Sequence, residues 1–139
     1  MLAFAQQARA TLGESVASVA KDHAALSAVR RSAKVLSGYT VHEIESDATS
    51  VREYASPSGV VFGIAWNGLI HPDLTPLLGS YADAYREGLR KTPRHPGRRR
   101  QQVKAERVVV EKWGHMRNLQ GRAYAPSLIP PGVSVDEIK

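Results

Sequence analysis

Cysteine is absent from the 139-residue chain. Without a thiol, the chain can form no disulfide bond, thiolate metal site or iron–sulfur cluster, and it has no cysteine nucleophile. Long hydrophobic runs are also lacking, since the run at 60–66 is far short of the roughly 20 apolar residues that span a bilayer. The sequence therefore excludes disulfide scaffolds, thiol redox enzymes and polytopic membrane proteins.

Acidic residues are missing from residues 90–104, which contain seven of the 19 Lys and Arg residues. The other 12 nearly balance the 13 Asp and Glu residues, so the net charge of +6 arises in this one segment. Pro93, Pro96 and Gly97 predict a solvated basic loop that neither a helix nor a strand crosses. The candidate anion-binding residues of this loop are Arg94, Arg98, Arg99, Arg100 and Lys104.

The N-terminal residues 1–10 end in Ala8-Arg9-Ala10, the small-x-small pattern that a signal peptidase accepts. We interpret this segment as the remnant of a signal peptide and predict a periplasmic or secreted protein. The apolar stretch is short and no basic region precedes it, so either the precursor starts upstream or the match is chance. Residues 11–139 have the length of a single globular domain, and the 42% hydrophobic content of the whole chain is typical of one.

Local patterns predict a helix, three strands, a second helix and two further strands. Asp22 is a suitable N-cap for a helix over 22–36, and Gly38 is suited to end it. Thr75-Pro76 has the cap pattern of the second helix, whose apolar stripe includes Tyr81 and Tyr85. The predicted strands are 39–45, 50–56, 60–66, 103–113 and 115–125.

The third strand alternates in side-chain size, which predicts that Phe62, Ile64 and Trp66 share a core face while Gly63 and Ala65 leave the other face shallow. Direct connections between strands produce antiparallel pairs. We therefore predict an α+β fold, a curved antiparallel sheet of about five strands with one or two helices packed on one face.

Five ordered segments resemble a family of small exported bacterial proteins that is known only as a domain of unknown function. They are Tyr39-Thr-Val-His-Glu43, Val51-Arg-Glu-Tyr-Ala-Ser-Pro-Ser-Gly59, Val61-Phe-Gly-Ile-Ala-Trp66, Pro72-Asp-Leu74 with Leu77-Leu-Gly-Ser-Tyr81, and Gly114-His-Met-Arg117 with Gln120-Gly-Arg-Ala-Tyr124. The resemblance covers residues 12–138 and implies export, and it carries no catalytic residue, cofactor or substrate.

The five histidines have no helical i, i+3 or i, i+4 spacing, and no calcium-type loop occurs, so we predict no metal site and no cofactor. His42 and His115 lie on candidate strands, where a contact across the sheet remains an alternative to two structural histidines. Serine-nucleophile and phosphate-binding glycine motifs are also absent, so no residue receives a catalytic role. Charged residues on the strands, such as Arg52, Glu53 and Arg122, are interpreted as cross-strand pairs.

Trp66 and Trp113 each precede a glycine-containing break, which predicts that they lie at sheet edges and cap the core or line a ligand cleft. The candidate ligand-binding residues are Trp66, Trp113, His42, His115 and Arg117. The sequence suggests two candidate functions that belong to different classes of protein. One is a non-enzymatic exported protein that binds a protein partner or ligand through its sheet face. The alternative is an anion-binding module for nucleic acid or an anionic surface polymer, although its basic run contains no aromatic residue to stack on a base.

Overall fold

The computed structural model describes residues 12–13, 30–46, 48–93 and 100–139, with the side chains of residues 30–33 and 76 excepted. The expected signal-peptide remnant at 1–10, the first part of the expected helix at 22–29, and Arg94, Arg98 and Arg99 lie outside these residues.

A seven-stranded antiparallel sheet forms the centre of the described residues. Its strands are β1 (Arg30–Leu36), β2 (Tyr39–Glu45), β3 (Thr49–Ala55), β4 (Val61–Gly68), β5 (Gln101–Lys104), β6 (Val109–His115) and β7 (Asn118–Tyr124). They follow the order β1-β2-β3-β4-β7-β6-β5. The predicted α+β class with an antiparallel sheet is confirmed, but the sheet has seven strands rather than about five.

Strand β1 occupies the second half of the segment that was expected to be helical. It pairs with β2 from Arg30↔Glu45 to Leu36↔Tyr39. Gly38 has a φ of 86° and lies in the turn between these strands rather than at a helix C-terminus. A positive φ serves both a helix cap and a tight hairpin, so the glycine pattern alone did not distinguish them.

Strand β5 is the second unexpected strand, and it corrects the predicted extent of the basic loop. Arg90 and Lys91 end a helix and Lys104 ends β5, so regular structure enters the 90–104 segment from both sides. The backbone turns between β5 and β6, where the amide of Ala105 donates to the carbonyl of Val108 over 2.9 Å. The expected single strand over 103–113 is therefore a hairpin.

A β-bulge in β4 reverses the predicted face of Phe62. Tyr54 pairs with Gly63, whereas Ala55 pairs with Val61, so Phe62 is an extra residue in the ladder. At this bulge the alternation of β4 side chains between the two faces of the sheet shifts by one residue. Phe62 consequently packs with Ala65 on one side of the sheet, and Ile64 and Trp66 pack on the other.

The helix face of the sheet is the side that holds Ile64 and Trp66. Helices α1 (Leu74–Leu78) and α2 (Ala82–Lys91) pack on it, separated by a 3-10 turn at Gly79–Tyr81. The helix begins two residues earlier than Thr75-Pro76 suggested, because Asp73 is the N-cap and its side chain accepts the amide of Thr75 over 3.1 Å. Leu12 is also buried here, and its amide donates to the carbonyl of Leu77.

The tail face is the opposite side of the sheet, which residues 126–139 cross. This tail contains 3-10 turns at Pro126–Leu128 and Val135–Glu137. Ile138 is fully buried in its aromatic cluster and packs on Gly63, where an added β-carbon would lie 2.8 Å from the isoleucine Cδ1. The shallow surface that Gly63 provides is thus filled by the tail.

Candidate functional site

Two rows of polar side chains cross the tail face beside the area that the tail covers. The first row follows the register through β3, β4, β7 and β6 and consists of Ser50, Asn67, Gln120 and Trp113. The second row extends to β5 and consists of Arg52, Ala65, Arg122, Glu111 and Gln102. Because directly paired residues project to the same face, the two rows form one continuous surface, the polar half of the tail face. All four residues of the first row are partly exposed.

Arg52 forms the boundary between this polar half and the tail. Its Nη1 donates to Oδ1 of Asn67 over 2.6 Å, and its Nε donates to the main-chain oxygen of Lys139 over 2.8 Å. The hydroxyl of Tyr54 donates to the same oxygen over 2.6 Å. The guanidinium group is therefore fixed from two directions, which sets the position of the Asn67 amide.

Arg122 and Glu111 form a buried ion pair at the centre of the second row. The Nε of Arg122 lies 2.6 Å from Oε2 of Glu111, and the two side chains are 14% and 4% exposed. Gln102 donates to the other carboxylate oxygen over 2.6 Å. The Nη1 of Arg122 donates to the carbonyl oxygens of Val135 and Ile138. Each group is thus satisfied by protein partners, as a buried charged pair requires.

Trp113 lies against two guanidinium groups at the β5 side of the polar half. The Cζ atoms of Arg100 and Arg122 are each 5.9 Å from the centre of its ring. Arg100 is 67% exposed and its Nη2 lies 3.8 Å from the carboxylate of Glu111. This corner therefore combines an aromatic surface with the exposed cation of Arg100 and the partly buried cation of Arg122, an arrangement stabilised by cation–π attraction.

Trp66 does not lie at a sheet edge, which corrects the sequence interpretation. It is 1% exposed on β4, the middle strand of the seven, and its Nε1 donates to Nδ1 of His71 over 3.0 Å. Burial lowers the pKa of the His71 imidazole, and the positive charge of Lys112 lowers it further. Trp66 is a core residue of the helix face and is unavailable to an external ligand.

His42 and His115 are not neighbours. Four strand spacings of about 4.8 Å separate β2 from β6, so the expected contact across the sheet is excluded. His42 instead faces Glu53 as its cross-strand partner, and both are buried. His115 is exposed at the end of β6. Within the ranges that the structure describes, no three His, Asp or Glu side chains are grouped in a way that could hold a metal ion.

Arg117 lies in the turn between β6 and β7, outside the polar half. Its φ of 69° places it in the left-handed region, and both it and the neighbouring Met116 are exposed. Of the five candidate ligand-binding residues, only Trp113 belongs to the polar half of the tail face. Arg117 and His115 share the β6–β7 turn, while Trp66 and His42 belong to the helix face.

The described part of the basic segment contributes two candidate anion-binding residues. Arg100 lies beside Trp113, and Lys104 is exposed on β5. Lys104 also borders an open cleft of about 530 Å³ between α2 and β5, where Lys91 contributes a second cation and Glu87 and Glu106 contribute acidic groups. The mixed charge of this cleft gives it no preference for an anion.

Several residues of the polar half were not singled out from the sequence. Glu111 directly follows the apolar run 108–110, and a carboxylate in a buried strand calls for a cationic partner. Placing Arg122 opposite it requires the register of the β6–β7 hairpin, whose turn lies at residues 116–117 and not at the expected break at Gly114. Asn67 and Gln120 carried no such signal, because an amide on a strand is equally common on any solvated face.

Comparison with protein families places nearly the whole chain in a known family. The model of a family of proteins of unknown function, DUF2844, matches residues 8–138. Neither the curated proteins nor the solved structures contain a match to the chain. Among the residues that the structure describes, every helix is too short or too polar to cross a membrane.

Proposed function

Because the chain belongs to the DUF2844 family, whose function is unknown, its role must be inferred from its own surface, and we propose that it is an exported, non-enzymatic binding protein. The proposed binding surface is the polar half of the tail face. The site of action is the periplasm or the cell exterior, a proposal supported by the Ala8-Arg9-Ala10 pattern.

The observation that carries this proposal is the first polar row. Ser50, Asn67 and Gln120 present one hydroxyl and two amides on adjacent strands, with Trp113 at the end of the row. The Ser50 hydroxyl donates to Oε1 of Glu43 over 3.3 Å and the Asn67 Oδ1 accepts from Arg52, so the row offers a ligand the hydroxyl oxygen of Ser50, the amide N–H groups of Asn67 and the amide of Gln120. Such a row suits a ligand or protein surface that exchanges several hydrogen bonds. Because the row lies on a sheet, its backbone does not have to become ordered when the ligand binds.

The second row supports recognition rather than proton transfer. The carboxylate of Glu111 is bound by Arg122 and Gln102, and Arg52 is bound by Asn67 and Lys139. A general acid or base needs a proton that is free to move to a substrate. These charged groups instead bind one another and fix the orientation of the Asn67 and Gln102 amides.

Affinity capture from an envelope fraction tests the proposal in two steps. The wild-type chain is used to identify what co-purifies, and the identified ligand is then titrated by calorimetry. We expect Gln120→Arg to weaken binding at least about tenfold, since it blocks the middle of the row, a loss of about 1.4 kcal/mol. Gln101→Arg, at an exposed position of β5 outside the two rows, is the matched control and should bind normally.

Equal affinity of the Gln120→Arg and wild-type chains would contradict the proposed surface. Chemical conversion of the captured ligand by the wild-type chain would contradict a non-enzymatic role. Recovery of the chain from the cytoplasmic fraction with residues 1–10 intact would contradict export.

An anion-binding role is the second candidate, favoured by the 67% exposure of Arg100 within the arginine run 98–100. Titration with duplex DNA, single-stranded DNA and heparin separates a specific module from general attraction. Replacing Arg98, Arg99 and Arg100 with Gln should abolish salt-sensitive retention in either case. Preference for one nucleic acid at physiological salt, lost in this variant, would favour the anion-binding role over the first proposal.

A further inference from the structure

Three large apolar side chains are exposed at one end of the sheet. Leu69 is 54% exposed, Ile70 is 55% exposed and Met116 is 93% exposed. They belong to two loops that leave adjacent strands, because Gly68 at the end of β4 pairs with Leu119 at the start of β7. We call these two loops, residues 69–71 and 115–118, the apolar tip.

The backbone of the first loop is bonded to the protein. The amide of Leu69 donates to the carbonyl of Ala48 over 2.8 Å, and the carbonyl of Ile70 accepts the hydroxyl of Thr49 over 3.2 Å. Main-chain groups that are already satisfied cost little to move away from water. The amide of Leu69 and the carbonyl of Ile70 therefore keep their hydrogen bonds when the two apolar side chains of this loop leave water.

The second loop places the guanidinium group of Arg117 beside its apolar residue. His115 and Arg117 flank Met116, and all three are exposed. Neither residues 67–72 nor residues 112–120 contain Asp or Glu, whereas Glu45 ends β2 at the same end of the sheet, two strands from β4, and Asp47 follows it in the sequence. Apolar side chains at loop ends with a cation at their border match the two layers of a bilayer surface, acyl chains below and anionic phosphates above.

We propose that the apolar tip is a membrane-contacting surface that inserts Leu69, Ile70 and Met116 into the interface of an anionic bilayer, with Arg117 contacting lipid phosphate. The proposal is independent of the polar half of the tail face. A bilayer is favoured over a protein groove because the apolar side chains belong to two separate loops at the ends of the adjacent strands β4 and β7, and a soft surface accommodates both without a matching cavity. Binding is peripheral and reversible, since only three side chains insert.

Vesicle flotation tests this proposal. The full chain should float with vesicles made of equal parts phosphatidylglycerol and phosphatidylethanolamine, and it should float much less with phosphatidylcholine alone. Each of Ile70→Ser and Met116→Ser should lower the partition coefficient about tenfold, because the inserted apolar area is lost. Arg117→Asn, which tolerates the left-handed backbone, should lower binding to the anionic vesicles severalfold and reduce its salt dependence.

Val35→Ser is the matched control. Val35 is 80% exposed on β1, near the opposite end of the sheet from the apolar tip. This variant should bind vesicles as the wild type does. Unfolding midpoints measured for all four variants separate lost binding from lost folding, since every altered side chain is exposed.

Three results would overturn the proposal. They are no flotation of the wild type with anionic vesicles, unchanged flotation of folded Ile70→Ser and Met116→Ser, and an equal loss in Val35→Ser. Flotation that depends only on Arg98, Arg99 and Arg100 would also overturn it and would assign membrane attraction to the basic segment.

Discussion

Trp66 and Gly121 are cross-strand partners, and the indole of the tryptophan occupies the space above the glycine. A β-carbon at residue 121 would lie 2.5 Å from the indole Cε2 and 2.8 Å from the carbonyl oxygen of Glu111. The absence of a side chain at residue 121 therefore lets the indole pack directly against the backbone of β7. In that position its Nε1 reaches His71.

Gly121→Ala should lower the free energy of unfolding by about 1–3 kcal/mol, because the new methyl group displaces the indole or the strand. Trp66→Phe removes the ring atoms in closest approach, so the double variant should lose less than the sum of the two single variants. Denaturant unfolding measures this coupling. Gly132→Ala is the control, since no atom lies within 4 Å of the added carbon and only its positive φ is unfavourable. If the loss in the double variant equals the sum of the two single losses, the contact between Trp66 and residue 121 is contradicted.

Phe62→Ala should lower the free energy of unfolding by about 3–5 kcal/mol, since the ring is fully buried. The ring packs on the tail face, at 6.3 Å from the ring of Tyr39 and 6.3 Å from that of Tyr54. A double-mutant cycle with Tyr54→Leu should therefore show coupling, whereas a cycle with Trp66→Phe should show little. Stronger coupling to Trp66 would mean that the bulge does not reverse the face.

Glu111→Ala should lower the free energy of unfolding by about 3 kcal/mol, because it leaves the mostly buried charge of Arg122 without its carboxylate. Glu87→Ala is the matched control. It removes a glutamate that pairs with Arg90 on an exposed helix surface, and it should change stability by no more than about 0.5 kcal/mol. Similar losses in urea unfolding of the two variants would show that Glu111 is solvated.

Acidification should destabilise the chain through His71. Its pKa is lowered in the folded state, so the unfolded chain binds a proton first as the pH falls below its ordinary value of about 6.5. The contribution of neutral His71 to the free energy of unfolding is therefore fully retained above that pH. It is lost completely once the pH lies below the pKa that His71 has in the folded protein. In His71→Gln this part of the pH dependence should disappear, while the Gln carbonyl still accepts the indole N–H.

Denaturant midpoints between about pH 8 and pH 5 measure this effect, with the indole N–H resonance of Trp66 as a local probe. His115→Gln removes an exposed histidine that does not contact Trp66 and serves as the control. An unchanged pH dependence in His71→Gln would show that other groups cause the acid sensitivity.

Strands with strong local signals were predictable. The range of β2 at 39–45 agrees with the sequence prediction, and the turn after β3 forms where Gly59 supplies a φ of 86°. Strands β1 and β5 are the outermost strands, and each pairs with a single neighbour. They were missed because long-range pairing, rather than their own composition, makes them strands. The bulge at Phe62 has no local signal either, because it depends on the register of β3.

The candidate site was predictable only in its parts. Trp113 and the charged strand residues Arg52 and Arg122 were named from the sequence, but their joint surface depends on β7 lying between β4 and β6. That order arises because the segment with α1 and α2 connects β4 to β5 at the far edge of the sheet. The chain then returns through β6 to β7, which pairs with β4. Trp66 was misplaced for the same reason, since β4 is an interior strand and the end of a strand is not the edge of a sheet.

The tail contacts have a consequence for when the domain can complete its folding. Tyr54 and Arg52 bind Lys139 across 85 and 87 residues, and Ile138 completes the aromatic cluster around Phe62. Contacts between residues so far apart in the sequence form late in folding, because a long loop must close before they can form. During synthesis, the tail face therefore stays uncovered until residues 135–139 have left the ribosome. An export pathway that requires an incompletely folded chain would find one throughout translation of this domain.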